Sequence, residues 1–302
     1  MKKSKSWLTY SILVVLFYGV WGAFTNTTEK GGFPATLGYV VWALTLIPAV
    51  VFSLSRNNWK LTTNKNSVIY GALAGILGSV GQLLLFIALK DAPAYLIFPL
   101  ISLMPMVTVF LAVFILKEKT GKYGWIGVFL SIIAGVLLAY QPPGENITRG
   151  YLWLVLAIII LILWGVQSFV LRIANNKAKA EDIFFYMSCS SLSLIPIALY
   201  LSDFSQPINW GFSGPYLAAM IQILNSFGAL FLVYAFRFGK AIIVAPITTA
   251  MPPVLTVLIS LTLYAVIPHA IIVCGIALAI VAAFLMGIDE AKTSTFTEEF
   301  NQ

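Results

Sequence analysis

Apolar runs of about twenty residues recur along the whole chain, separated by short polar stretches. Ten runs can be read, at 7–24, 33–54, 67–89, 92–116, 121–140, 150–171, 183–201, 214–236, 241–264 and 268–287. They lack both the strict alternation of a half-buried strand and the broad polar face of a surface helix. At 1.5 Å of rise per residue, a helix of this length crosses about 30 Å of hydrocarbon. Backbone polar groups must be satisfied internally there, which a helix does on its own. The pattern predicts an all-α integral membrane protein with ten transmembrane helices.

Composition supports this and removes other classes. Apolar residues make up 60% of the 302 and charged residues 10%, where a soluble chain carries about 25% charged. Mean hydropathy is +0.94. A soluble enzyme, a disordered protein and a nucleic-acid binder are excluded. The net charge of +7 acquires a meaning once each Lys and Arg is assigned to alternate sides of the ten spans. Fifteen fall on one side, and only Lys30, Lys90 and Arg149 on the other. The positive-inside rule then makes both termini cytoplasmic, with 289–302 a cytoplasmic tail. Basic charge is a topology signal with some attraction to anionic membrane lipids, not a nucleic-acid footprint. The basic amino terminus ahead of the first run resembles a secretory signal, but no small-x-small site follows and the run ends in Trp21, so it is read as a retained span. Cys189 and Cys274 fall inside spans without metal or disulfide spacing and are expected to be buried structural thiols. The glycosylation sequons at Asn26 and Asn146 are short enough to arise by chance.

Sliding the chain against itself reveals a duplication. Trp21-Gly22 falls on Trp164-Gly165 at a separation of 143, and LTLIP at 44–48 falls on LSLIP at 192–196 at 148. At 147, Gly81, Pro99, Met104 and Pro105 fall on Gly228, Pro246, Met251 and Pro252, and at 148 Gly127 falls on Gly275. Matched single Leu or Ala residues are expected between any two apolar sequences; matched prolines six apart are not. A turn-forming spacer, QPPGEN at 141–146, separates the halves. Two domains follow, 7–140 and 150–288. Five spans in each make the second inverted relative to the first, an architecture in which a central site alternates between the two faces.

With the Trp-Gly pairs, the run ALKDAPAY at 88–95 leading to Pro105, and LKEK at 116–119 followed by Gly127 and Gly135, the chain resembles the EamA-like family of the drug/metabolite transporter superfamily over nearly its whole length. That resemblance implies a ten-helix inverted-repeat fold and the movement of metabolites such as amino acids, sugars, nucleobases and drugs, many of them outward. The second half departs from the family pattern at 265–268, where Ala, Val, Ile and Pro stand in place of an acid, so no coupling carboxylate is carried over.

Polar groups at membrane depth are costly unless they face a cavity or another helix. Gly71, Gly75 and Gly78 share one face of the third span, allowing close helix contact; the equivalent positions in the eighth are Ala218, Gln222 and Asn225. Asn225 lies 12 residues before Arg237, about 18 Å along a helix axis. Gln222 and Asn225 are therefore the leading candidates for substrate contact, since carboxamides donate and accept without charge; the alternative is that they tie helices together. Pro99, Pro105, Pro246 and Pro252 act either as hinges that expose carbonyls to a cavity or as fixed kinks. Thr248 and Thr249 are placed to satisfy freed carbonyls or to contact solute. Trp21 and Trp164, supported by Tyr18 and Gln167, either stack on a substrate or anchor span ends at the interface. Lys90 beside Asp91 snorkels outward, His269 is interfacial, and Glu118 either binds a coupling proton or, as an acid beside the start of the fifth span, stabilises it.

The sequence contains no nucleotide-binding glycine-rich loop, zinc-binding helix or acid pair in a span, so neither an enzyme nor an ATP-driven pump is expected, and no catalytic residue, metal or cofactor. The reading is a secondary transporter that exports or exchanges small neutral or zwitterionic metabolites, amino acids or their relatives first, by alternating access. Sugar, nucleoside or drug carriage is the alternative within transport; a lipid-handling membrane enzyme or a scaffold is the alternative outside it. A bacterial inner membrane is the expected location. The expected partners are a small-molecule substrate, membrane lipids and, through the Gly127 and Gly135 face, a second copy.

Overall fold

The computed structural model describes residues 6–25, 27–115, 121–138, 140, 148–175, 177–238, 241–265 and 268–300. All regular structure among them is helical. The first half contains α1 (Ser6–Phe24), a single turn α2 (Thr27–Lys30), α3 (Ala35–Arg56), α4 (Lys65–Ala88), α5 (Ala94–Ile101), α6 (Pro105–Ile115) and α7 (Lys122–Leu138). The second contains α8 (Leu152–Asn175), α9 (Ala180–Ser193), α10 (Ile195–Tyr200), α11 (Leu217–Phe238), α12 (Ala241–Tyr264) and α13 (Ala270–Phe300). Among the described residues, six stretches are long and apolar enough to cross a membrane: Trp7–Lys30, Ala35–Arg56, Lys65–Ala88, Leu152–Leu171, Ala180–Tyr200 and Phe212–Leu232. Shorter apolar helices cover Lys122–Leu138, Met251–Leu263 and Ala270–Met286.

Proline shapes these helices unequally. The expected span at 92–116 is two helices, α5 and α6, with Ser102–Met104 between them. Pro105 opens α6, where its missing N–H costs nothing, because the first turn has no intrahelical acceptor to satisfy. Ser102 Oγ donates to Pro99 O at 2.6 Å, covering one carbonyl at the break. The matching prolines of the second half, Pro246 and Pro252, lie inside a continuous α12, as does Pro253. The reverse holds for the other proline pair: Pro196 stands beside the break between α9 and α10, while Pro48 sits inside an unbroken α3.

The halves interlock rather than stand side by side. α1 packs on α11 and α12, and α8, its counterpart, packs on α4, α5 and α6. α3 packs on α11 as α9 does on α4, and α7 and α13 pack on each other. Exchanging the two halves converts this set of pairings into itself. The α7–α13 seam shows the register. A β-carbon on Gly127 would lie 2.6 Å from the Met286 side chain, and one on Gly275 would lie 3.1 Å from that of Leu138. Both the glycines and their partners are 148 residues apart, so one contact occurs twice and the helices run antiparallel. The Gly127 face is thereby covered by the chain itself.

Helix directions follow from the contacts. Tyr10 meets Tyr234 and Trp21 meets Gln222, so α1 and α11 are antiparallel. Gly71, Gly75 and Ser79 meet Ile183, Met187 and Ser191 in turn, so α4 and α9 are parallel. Every residue of α5 is buried, and α5 lies in the main apolar cluster against α8, α12 and α13. The expectation that both cysteines are buried is corrected: Cys189 and Cys274 are exposed on the outer flank of the bundle. α9 turns Ser188, Ser190 and Ser191 inward instead; Ser188 and Ser190 bond carbonyls of their own helix and Ser191 Oγ accepts from Ser79 Oγ of α4 at 2.7 Å, whereas a thiol behaves as a small apolar group that hydrocarbon tolerates.

Candidate substrate site

The site is built on a difference between equivalent faces of α4 and α11. On α4 the small residues let neighbouring backbones come close. A β-carbon on Gly75 would be 2.6 Å from Met187 O of α9, and those on Gly78 and Gly81 would run into the Gln167 and Trp164 side chains of α8. On α11 the corresponding positions are filled by Gln222 and Asn225, and their amides reach outward from the helix. Gln222 is 1% exposed and Asn225 8%, so every polar atom there needs a partner inside the protein.

The partners come from both halves. Trp21 Nε1 donates to Gln222 Oε1 at 2.9 Å. Gln222 Nε2 points to Thr25 Oγ1 at 3.4 Å, and Asn225 Nδ2 to Gln82 Oε1 at 3.4 Å. The last pair is informative because α4 and α11 pack chiefly on other helices; two amide side chains bridge them. Gln82 is 3% exposed and its Nε2 has no hydrogen-bond partner. An amide donor left unpaired in an apolar interior costs about 1–3 kcal/mol, so this nitrogen has the capacity to donate one further hydrogen bond. Trp21, 5.5 Å from the Phe98 ring edge to face and 6.3 Å from Tyr18, supplies an aromatic wall. Thr256 Oγ1 bonds Gly19 O at 3.0 Å, drawing α12 onto α1 beside this wall. The named side chains are all uncharged. They can hold a polar neutral solute with hydrogen bonds and an apolar flank.

The remaining sequence candidates take varied places. Trp164 Nε1 donates to Gly78 O at 3.2 Å and Gln167 Nε2 to Ala74 O at 3.0 Å, so both fasten α8 to α4 across the equivalent of the Trp21–Gln222 seam. Both tryptophans turn their N–H into the helix bundle, not toward an interfacial belt. Tyr18 is half-buried against Gly228. Thr248, Pro99 and Pro252 are buried; the side chains of Thr249, Pro105 and Pro246 lie outside the described residues. Sequence reasoning missed Gln82 and Thr25. Gln82 stands one turn beyond Gly78 on the same face, so a polar residue continuing a small-residue stripe was the available signal. It also missed two buried acids, Asp182 in the first turn of α9 and Asp289 within α13. Asp182 Oδ1 accepts from Thr62 N at 3.0 Å, and Asp289 Oδ2 from Gly121 N at 2.8 Å. Among the described residues no three His, Cys, Asp or Glu side chains gather as a metal site would require.

The profile of the EamA-like transporter family matches this sequence twice, over residues 5–140 and 150–288. The chain belongs to that family. A member of the EamA-like transporter family is a membrane transporter of the drug/metabolite type rather than an enzyme. Two relatives fit this frame. The chain is 27% identical over 206 residues, 66% of its length and 70% of the other's, to Protein LicB of Haemophilus influenzae. It is 33% identical over 129 residues, 42% of its length and 92% of the other's, to uncharacterized protein MJ1333.1 of Methanocaldococcus jannaschii. The second relative is thus about as long as one repeat. A crystal structure titled only as that of a protein superposes with a TM-score of 0.65 at 17% identity, covering 96% of this chain and 98% of that one, and shares the fold.

Proposed function

We propose that this EamA-family member is a ten-span secondary transporter that exports or exchanges small neutral or zwitterionic metabolites, amino acids or their relatives, by alternating access, with both termini in the cytoplasm of a bacterial cell. The observation that carries the reading is the amide network joining α1, α4 and α11: buried, uncharged, contributed by both repeats, and holding one unpaired donor on Gln82. A site shared by two repeats is remade whenever they move against each other, which is what alternating exposure of a solute needs. The alternating helix directions support the span count. Spans three and seven run parallel, as do two and eight, where Leu37 clusters with Ala218 and Thr45 meets Ser226; one and eight run antiparallel, as do five and ten.

The test is a thermal-shift screen of the purified protein against amino acids, sugars, nucleosides and cationic drugs, repeated with Gln222→Ala and Asn225→Ala. A ligand that binds only the folded state raises apparent stability, by about 2.7 kcal/mol at a hundredfold excess over Kd. Stabilisation of the parent by amino acids, with the response lost in folded variants, supports the substrate class and the site. Equal stabilisation of parent and variants by another class rejects both.

A further inference from the structure

Besides the central network, two fastenings tie a loop of one half to the start of the second span of the other, one at each end of the bundle. At one end, Asn209 N donates to Gly32 O at 3.0 Å and Asn209 Nδ2 to Gly31 O at 2.8 Å. The same amide nitrogen reaches Ser213 Oγ at 2.9 Å, and Asn209 Oδ1 accepts from Gly211 N at 2.9 Å, so one side chain organises its own loop while holding the α2–α3 connection. Gly32 can serve because its φ of +87° turns its carbonyl toward Asn209, a conformation that a β-carbon resists. At the other end, Thr62 N donates to Asp182 Oδ1 at 3.0 Å, and Tyr186 OH reaches Thr63 Oγ1 at 3.3 Å. Lys177 Nζ bonds Tyr70 OH at 3.0 Å on the same end.

These are one device used twice. With the repeat separation of 148, Asn209 corresponds to position 61 and Gly32 to position 180; the second fastening joins 62 to 182. In each case the connection after the second span of one half holds the segment that begins the second span of the other, the α2–α3 connection at one end and the first turn of α9 at the other. We infer that the Asn209–Gly31/Gly32 and Thr62–Asp182 contacts are the paired outer and inner latches of the transport cycle, and that opening one requires the other to be made. This rests on the alternating-access reading. The physical reason is that α3 and the α9–α10 span, whose ends carry the latches, are tied to each other: Tyr39 OH donates to Ser191 O of α9 at 2.9 Å, and Thr36 Oγ1 pairs at 2.7 Å with Oγ of Ser202, just beyond α10. A pair of helices held together can tilt toward one membrane face or the other, so separation at one end brings the opposite end together. The two latches differ in chemistry. The outer uses a half-buried neutral amide and two carbonyls; the inner uses an acidic side chain that is fully buried, with Oδ2 left without a partner. Breaking the inner latch therefore exposes a fully buried acidic side chain to water and is the larger change in burial.

The experiment measures spin-label distances in lipid nanodiscs, in a background with Cys189→Ala and Cys274→Ala. One label pair spans the outer latch (Lys30→Cys, Gln206→Cys) and another the inner latch (Lys60→Cys, Lys179→Cys), all four being exposed positions. Asn209→Ala is expected to raise the long-distance outer population roughly two- to tenfold, the change in ratio from losing a hydrogen bond, while the inner pair stays short. Asp182→Ala is expected to do the converse. Thr62→Pro removes the donor without touching the buried acid, so poor folding of the Asp182 variant does not decide the matter. Variants that lengthen both pairs together, or neither, overturn the inference. Since no solute is present, that failure is separate from failure of the thermal-shift test, which reads binding at the centre.

Discussion

Gln82 and Gln222 look alike in sequence, yet their surroundings assign them different work. Gln222 has its oxygen engaged at 2.9 Å by Trp21 and sits 1% exposed, so it is a helix tie as well as a candidate contact. In a double-mutant cycle of Trp21→Phe with Gln222→Leu, read by unfolding in mixed detergent, the expected coupling is about 0.6 kcal/mol and at most about 1.7, the range of interhelical hydrogen bonds in membranes. Gln82 has a long 3.4 Å contact and an orphan nitrogen. Gln82→Leu is therefore expected to leave the thermal midpoint within about 0.5 kcal/mol of the parent, since it removes a weak bond and an unpaired donor together. The same variant is expected to lose solute-induced stabilisation. A loss of more than about 1 kcal/mol without solute would make Gln82 a tie and remove it from the site. Sequence could place both residues at membrane depth, because depth follows from counting along a span. It could not show that Trp21 faces Gln222 across 201 positions, because a nearly uniform apolar helix carries little record of which way each face points.

At the scale of helices, α4 is the element whose composition most directly fixes its neighbours. Gly71 and Gly75 press on the α9 backbone, so Gly75→Ala forces a shift against Met187 O at 2.6 Å, which cannot rotate away. Overpacking of this kind costs about 1–3 kcal/mol. Gly135 is a suitable control, since a β-carbon there meets nothing nearer than Leu100 Cδ1 at 3.8 Å. Gly75→Ala is expected to lower the thermal midpoint and Gly135→Ala to leave it unchanged or slightly raised; equal effects would show that helix propensity, not close approach, explains these glycines. The stripe was legible because three small residues on one helical face have few other uses. The prolines were legible as interruptions but not as outcomes. Pro99 and Pro105 flank a real break whereas Pro246 and Pro252 do not, and Pro196 marks a break whereas Pro48 does not. A missing N–H leaves a carbonyl free, and whether the helix parts or merely bends depends on what reaches that carbonyl from outside the helix. Local sequence holds no record of that partner.

For the molecule as a whole, the duplication was readable from spacing alone, and its consequence is that neither half is a self-sufficient body. α1 finds its main partners, α11 and α12, in the other half, and α8 finds its own in α4, α5 and α6. The two seams are fastened by Trp21 to Gln222 on one side and by Trp164 to Gly78 on the other. In a membrane the apolar surface between helices gains little over contact with lipid, so these close contacts and hydrogen bonds carry most of the association. Cutting the chain within 141–146 and producing both parts together should therefore restore a complex that co-purifies and unfolds as one unit. Residues 1–140 alone should insert but leave α1 and α4 without their principal neighbours, and should be degraded or scatter among oligomers. If 1–140 alone proves monomeric and as protease-resistant as the whole, interlocking does not stabilise the fold. The relative of about one repeat in length sharpens the expectation. A single repeat can satisfy the same seams by pairing with a second copy in the opposite orientation, because exchanging the halves leaves the pattern of helix contacts unchanged. A fusion of two identical copies of 7–140 through a spanning linker that restores the inversion should then pack, while a fusion holding both in the same orientation should not. The outcome is read by whether the protein elutes as a monodisperse species.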